Sequence, residues 1–334
     1  MEFGLLYDFR NPPQWRIPPA ELYAETLDHI QAMEALGFPV VWVTEHHFID
    51  DEYLPSVLTA AAAIAARTSR VTIGTAVLLL PLQDAIRVAE DAAVVDILSN
   101  GRLRLGLGLG YKLEEFDAFR VPRRSRPSLM EEGIDVIRAA WADGPASYDG
   151  KHYNFRNILV TPKPVQRPGP EIWLAGRADA PVRRAARMGD GLIAVGPPSL
   201  YESYRAARQE YGRTGPDNIC TFAWRLPADD PQAAWAQAEP HARHRMANYA
   251  DWYGTAADLP TDVGMGRALD QGVSPGASSG MFGTVEDTVA EVEAMKAAGV
   301  SSLLYFATFP GMRPSATIPY FEKLAKEVMP RFSG

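Results

Sequence analysis

Residues 71–110 read VTIGTAVLLLPLQDAIRVAEDAAVVDILSNGRLRLGLGLG, and this stretch decides the fold class. An apolar run at Val71–Leu80 gives way to a helical pattern over about Asp84–Leu98, which Gly101 stops. Leu103–Leu109 then opens a second apolar run, with glycine at every second position towards its end. Apolarity this continuous predicts strands buried on both faces, as in a parallel sheet covered by helices. A strand, a helix and a strand in succession make one β/α unit.

The same rhythm extends in both directions. Before this unit, Phe3–Tyr7 reads as the first strand. Pro18 and Pro19 open a helix carrying Leu22, Leu27, Ile30 and Met33, which Gly37 ends. Val40–Thr44 is the second strand, and an alanine-rich helix runs from about Val57 to Arg67. After the unit come a helix at Ser128–Trp141 and a hairpin at Tyr148–Val160, turning at Asp149-Gly150. Strands follow at Glu171–Ala175, Gly191–Val195 and Cys220–Arg225, with helices at Pro181–Met188 and Ser199–Tyr211 between them. Thr284 caps a helix to Ala298, Ser301–Ala307 is the last strand, and Tyr320–Val328 closes the chain. About eight strands, each followed by a helix or an inserted loop, predict an α/β fold of the (β/α)8 TIM-barrel type. The expectation is one domain over 1–334, with inserted segments at about 112–127, 148–165 and 240–280; two ordinary domains are the alternative.

Composition excludes several classes of function. The 334 residues carry 33 Lys and Arg against 41 Asp and Glu, a net charge of −8. That balance argues against a nucleic-acid surface and against docking on anionic lipid, both of which need a basic patch. The lone Cys220 excludes an internal disulfide and a cysteine-rich metal centre. Met1–Tyr7 runs directly into Asp8 and Arg10 without a secretion signal, and no apolar run reaches the ~20 residues that span a bilayer. The expectation is a soluble cytoplasmic protein.

In such a barrel, functional side chains gather at the carboxyl ends of the strands. Glu45-His46-His47 lies at the exit of the Val40–Thr44 strand. A carboxylate beside an imidazole can fix its tautomer and raise its basicity, as acid–base work requires. The alternative is a helix-start loop whose histidines are satisfied locally. No metal site is expected, because successive residues diverge along a strand; His241 and His244 lack a third ligand and read as surface residues. Gly106, Gly108 and Gly110 follow G-x-G-x-G spacing, which is not the dinucleotide fingerprint. They indicate either a flat ligand or another backbone close by, or simple packing in the barrel interior. Gly176-Arg177 sits between a strand and a helix, where backbone N–H groups and one arginine suit a phosphate. The segment Phe119–Pro127, with Arg120, Arg123, Arg124 and Arg126, reads as a solvated face with Arg126 as the exception. Leu259–Gly280, rich in Gly, Ser and Pro, reads either as a lid over the barrel mouth, with Met265 and Leu269 on the ligand, or as a disordered insertion.

Taken in order, these residues resemble the bacterial-luciferase-like flavin-dependent oxidoreductases. The likeness rests on Glu45-His46-His47-Phe48, Gly74-Thr75-Ala76-Val77-Leu78-Leu79-Leu80-Pro81 and Arg87-Val88-Ala89-Glu90-Asp91. It continues through Ser99-Asn100-Gly101-Arg102-Leu103, Gly106–Gly110, Gly189-Asp190-Gly191 and Glu327-Val328-Met329-Pro330. The resemblance implies FMN at the carboxyl end of the barrel, often in a homodimer. It places His46 beside the flavin ring, with Glu45 as the neighbour that orients it. It places Ala76-Val77 where the family often has a non-proline cis peptide under the ring. Arg126 matches a basic position near the cofactor, and Gly176-Arg177 the phosphate turn. Gly108 stands where luciferases carry a reactive cysteine, and Leu109 where they carry a phosphate-binding arginine, so light emission from a long-chain aldehyde is not expected. The implied activity is an FMN-dependent monooxygenase. A separate NAD(P)H:flavin reductase supplies reduced FMN, which reacts with O2 through a C4a-(hydro)peroxyflavin to oxygenate a small organic substrate. An F420-dependent hydride-transfer enzyme and a non-catalytic flavin-binding protein are the alternatives.

Overall fold

The computed structural model describes residues 1–254 and 280–332. Along the chain the strands are β1 (Glu2–Tyr7), β2 (Val40–Val43), β3 (Thr72–Thr75), β4 (Leu103–Leu107), β5 (Ala146–Asp149) and β6 (Asn154–Ile158). They continue with β7 (Glu171–Gly176), β8 (Gly191–Ala194), β9 (Ile219–Phe222), β10 (Leu226–Pro227), β11 (Phe282–Gly283) and β12 (Ser302–Phe306). Eight of them close a barrel in the order β1-β12-β9-β8-β7-β4-β3-β2. Every neighbouring pair in that ring is parallel. The expected (β/α)8 barrel is the fold. The hairpin expected at Tyr148–Val160 is β5 and β6, paired antiparallel.

Helices Pro19–Ala35, Val57–Arg67, Ala85–Ser99, Arg126–Trp141, Asp179–Met188, Ser199–Glu210 and Val285–Ala297 lie where the sequence pattern puts them. Their ends have local causes. The Asp84 carboxylate accepts from the N–H groups of Ile86 and Arg87. Thr284 and Asp287 form a reciprocal capping box. Gly37, at φ +93°, takes the left-handed conformation that ends the first helix.

The barrel is filled from inside by Leu6, Val40, Trp42, Trp173, Ile193, Cys220, Leu304 and Phe306. Two tryptophans fit because glycines face them. A Cβ on Gly74 would lie 2.1 Å from the Trp42 ring, and one on Gly191 2.3 Å from the Trp173 ring. Arg104 closes the amino-terminal end, stacked over Trp173 at 4.7 Å and paired with Glu2 at 2.9 Å and Glu171 at 3.0 Å. Burial pushes the Cys220 thiol up to about 12, so it is a packed apolar group at neutral pH.

One expectation needs correction, and two helices were not foreseen. The run Val71–Leu80 is not one strand: β3 ends at Thr75, the Ala76-Val77 peptide is cis, and a 3-10 turn covers Leu80–Leu82. Apolarity continues past Thr75 because the loop is itself buried, so composition does not mark the strand end. The segment 112–127 contains a short helix, Leu113–Ala118. A long helix, Pro231–Gly254, runs through Pro240, whose breaker character hides it from sequence reading. The expected lid at Leu259–Gly280, with Met265 and Leu269, lies outside the described residues except for Gly280.

Candidate active site

β2 delivers Glu45, His46 and His47 to the carboxyl end of the barrel, and all three are buried. The backbone there is held by neighbours: His46 N donates to Leu54 O at 3.2 Å, and Ala76 N to Val43 O at 2.7 Å. Glu45 is not the group that orients His46. Its carboxylate meets His47 Nε2 at 2.7 Å and accepts from Leu79 N at 2.9 Å and Gln83 Nε2 at 3.2 Å. It therefore ties β2 to the loop that follows the cis peptide. Alternate residues on extended backbone point opposite ways, which puts Glu45 and His47 on one side and His46 on the other.

The carboxylate facing His46 is Glu115, from the short helix after β4. Its Oε1 lies 2.9 Å from His46 Nδ1 and accepts from His47 N at 2.9 Å. His46 Nε2 lies 2.9 Å from the Tyr111 hydroxyl. The imidazole is walled by rings, with centroids at 4.7 Å for Trp252, 5.0 Å for Tyr53 and 5.3 Å for Tyr111. Sequence reading found His46 and missed Glu115, Tyr111 and Trp252, because they lie far along the chain in segments without a strand signature.

The floor of the barrel mouth is apolar and partly open. Ala76, Val77, Ala175, Phe222 and Trp224 are half-buried and pack on the interior cluster. Phe222, Trp224 and Phe306 form a mutual cluster, with Phe222 stacked on Trp224 at 5.8 Å and on Phe306 at 5.3 Å, and Trp224 tilted against Phe306 at 5.7 Å. Gly106 in β4 and Gly108 just beyond it serve this floor by packing. A Cβ on Gly106 would sit 1.8 Å from Thr75 O, and one on Gly108 2.3 Å from Val77 Cγ2. At Gly106 another backbone comes close, one of the readings left open, while Gly108 packs against a side chain. Gly176 likewise faces Val182, whose Cγ2 would lie 2.8 Å from an added Cβ.

Arg177 follows β7 directly and is half-buried at the start of the Asp179–Met188 helix, which no side chain caps. Arg126 donates to Gly110 O at 2.7 Å and Arg123 O at 3.1 Å. Burial, and then the Arg123 charge, push its guanidinium down to about 10. Arg120 and Arg124 are exposed as expected, while Arg123 is half-buried.

The Pro231–Gly254 helix supplies the other wall. Arg245 is buried over the Phe306 ring at 3.9 Å and pairs with Asp8 at 3.3 Å. Arg10 donates to Asp51 at 2.7 Å, and His244 Nε2 meets the same carboxylate oxygen at 2.9 Å. Burial alone would raise the Asp51 carboxyl, but His244 and Arg10 hold it below its ordinary value. The reading of His241 and His244 as surface residues is therefore corrected: both are partly buried, and His241 Nδ1 meets Pro310 O at 2.7 Å.

An eight-stranded parallel barrel with a buried histidine and an apolar floor at its carboxyl end belongs to a known group. The chain is a member of the luciferase-like monooxygenase family, whose sequence profile matches residues 1–302. Among curated relatives, the alkanal monooxygenase alpha chain of Photorhabdus luminescens is 27% identical over 278 residues, 81% of this chain and 75% of that one. The oxygenase component of the flavin-dependent trigonelline monooxygenase of Acinetobacter baylyi is 31% identical over 160 residues, 47% of this chain and 44% of that one. The chain spans about half the length of several curated relatives that it matches, 50% in one case and 54% in another. Among solved structures, the monooxygenase RslO1 of Streptomyces bottropensis superposes with a TM-score of 0.84 at 23% identity, over 100% of both chains. The oxygenating constituent of 3,6-diketocamphane monooxygenase of Pseudomonas putida, in complex with FMN, gives 0.76 at 18% identity, over 99% and 98% of the chains. An F420-dependent secondary alcohol dehydrogenase also gives 0.76, at 17% identity, over 100% and 99%. These structural likenesses concern the fold. No described helix is long and apolar enough to cross a membrane.

Proposed function

We propose that this protein is the oxygenase of a two-component system, binding reduced FMN at the barrel mouth and using O2 to oxygenate a small organic substrate. The observation that carries this reading is a half-buried apolar floor at the carboxyl end of a barrel that also carries a buried, doubly hydrogen-bonded histidine there. A tricyclic ring fits a floor of small and aromatic side chains, and the Ala76-Val77 backbone runs along it. For the phosphate, Gly176-Arg177 offers N–H groups at an uncapped helix start together with one guanidinium.

Reduced flavin would supply two electrons, so that one oxygen atom of O2 enters the substrate and the other leaves as water. The chain's own residues have three tasks. Ala76, Val77, Ala175, Phe222 and Trp224 position the ring by apolar contact and keep water from its face. Arg177 anchors the phosphate, and Arg126 holds the β4 exit through Gly110. His46 handles a proton at its ring nitrogens, with Glu115 in the orienting place and Glu45 bracing the loop under the floor.

A separate NAD(P)H:flavin reductase is the proposed partner, a reading supported by the trigonelline relative being named an oxygenase component. Exposed Val94, Ile97 and Leu98 on the Ala85–Ser99 helix support a homodimer, since monomers seldom leave such a row on one helix face. F420-dependent hydride transfer is the second reading, supported by a likeness of fold equal to that of the FMN enzyme. Mixing the protein with reduced FMN and then with oxygen separates the two. The monooxygenase reading expects oxygen uptake with a transient absorbance unlike reduced or oxidised FMN. Uptake no different from free reduced FMN would count against it.

A further inference from the structure

We propose that Tyr111, rather than His46, is the group that delivers a proton to the barrel mouth, as the outer end of a Glu115–His46–Tyr111 relay. The inference rests on the monooxygenase reading and deepens it. His46 cannot itself meet a ligand in this arrangement. It is 4% exposed, with Nδ1 engaged by Glu115 at 2.9 Å and Nε2 by Tyr111 at 2.9 Å. The imidazole is crowded by aromatic rings, with centroids at 4.7 Å for Trp252, 5.0 Å for Tyr53 and 6.2 Å for Tyr249. Tyr111 is the half-buried member of the three, and it leaves β4 just beyond the glycines that seat Val77 in the floor.

Hydrogen bonding sets the direction of the relay. Glu115 Oε1 already accepts the His47 N–H, so it acts as an acceptor and fixes the proton of His46 on Nδ1. Nε2 of neutral His46 is then an acceptor for the Tyr111 hydroxyl. When His46 carries a second proton, that Nε2–H points at the Tyr111 oxygen. An oxygen anion developing at the mouth as O2 is reduced takes the phenolic proton as its own O–H bond forms. The Tyr111 oxygen takes the Nε2 proton in the same transfer, and His46 returns to its neutral Nδ1–H form. One proton has then moved from the imidazolium to the new hydroxyl, and Tyr111 ends unchanged. The buried histidine stores the proton away from water, and the phenol carries it across the last contact.

Tyr111→Phe removes only the hydroxyl and keeps the ring. Flavin-free protein labelled with 15N-histidine gives the first readout. Wild type is expected to show His46 in the Nδ1–H tautomer with a hydrogen-bonded Nε2. Tyr111→Phe moves Nε2 towards an unbonded value without changing the tautomer, and Glu115→Ala, which leaves no acceptor at Nδ1, removes the tautomer preference. The second readout is turnover with reduced FMN and oxygen. Tyr111→Phe and His46→Ala each lower kcat roughly 10²–10³-fold. KM for reduced FMN stays within about threefold of wild type, and the double variant is no slower than the slower single one, as for residues acting as a unit. An Nε2–H tautomer in wild type, or a Tyr111→Phe kcat within twofold, overturns the relay. Wild type that fails to use reduced FMN at all defeats the functional reading instead, and the tautomer still decides the relay's geometry.

Discussion

Gly106 and Gly108 stand two residues apart, yet the structure assigns them different obstacles. At Gly106 an added Cβ would lie 1.8 Å from the backbone oxygen of Thr75; at Gly108 it would lie 2.3 Å from Val77 Cγ2, a side-chain methyl. Thr75 Oγ1 also donates to Gly106 O at 2.7 Å and accepts from Gly106 N at 2.9 Å, so those strands have no slack there. Gly108→Ala should cost about 1–3 kcal/mol, the range for overpacking relieved by moving one side chain. Gly106→Ala should cost about 3–5 kcal/mol, since overpacking adds to two buried hydrogen bonds worth about 0.5–1.5 kcal/mol each. Val77→Ala removes Cγ2 and leaves Val77 Cβ, at 3.2 Å, as the nearest atom to an alanine at 108. It should therefore recover about 1–2 kcal/mol of the Gly108→Ala loss, beyond the ~0.5 kcal/mol scatter of additive pairs. The same Val77→Ala should do nothing for Gly106→Ala. Urea denaturation of the three single and two double variants measures each term. Additivity of Gly108→Ala with Val77→Ala, or equal costs at the two glycines, would refute the packing account.

Three more outcomes follow from individual groups. Arg177→Ala should weaken FMN at least tenfold while leaving riboflavin within about twofold, because only FMN carries a phosphate; equal losses measured by fluorescence titration would remove Arg177 from that role. His29 is buried between Tyr7 and Thr317, and burial lowers it to about 4 from 6.5. Below pH 6.5 the unfolded chain binds a proton that the folded chain does not, so stability should fall with pH towards 4 by up to about 1.4 kcal/mol per unit. His29→Gln should flatten that segment of the Tm-against-pH curve, and an unchanged slope would show that His29 does not titrate there. Leu98→Asp with Ile97→Lys should halve the apparent mass in analytical ultracentrifugation if the Ala85–Ser99 helix forms the dimer face; a wild-type monomer would remove the homodimer proposal.

The fold was legible where one period repeats without interruption. Leu103–Leu107 and Val57–Arg67 announce themselves through apolar spacing and their flanking turns. The strand end at Thr75 was hidden, because Ala76–Leu80 stays apolar in order to line the mouth and pack on the core. Pro240 disguised the Pro231–Gly254 helix, and with it the burial of Arg245, Tyr249 and Trp252. At the site, His46 could be found from its place at a strand exit. Its partner could not: Glu115 stands 69 residues away in the inserted segment 112–127, and only the closed barrel brings β2 and β4 exits together. Glu45 was the nearer carboxylate in sequence and the wrong one in space, since extended backbone sends neighbouring side chains apart.

The most direct test of the account is equilibrium titration of the flavin-free protein, under anaerobic conditions, with reduced FMN and with reduced F420 in parallel. The account predicts a micromolar or tighter Kd for reduced FMN and binding of reduced F420 at least tenfold weaker. Tight F420 binding beside weak or undetectable FMN binding would contradict it.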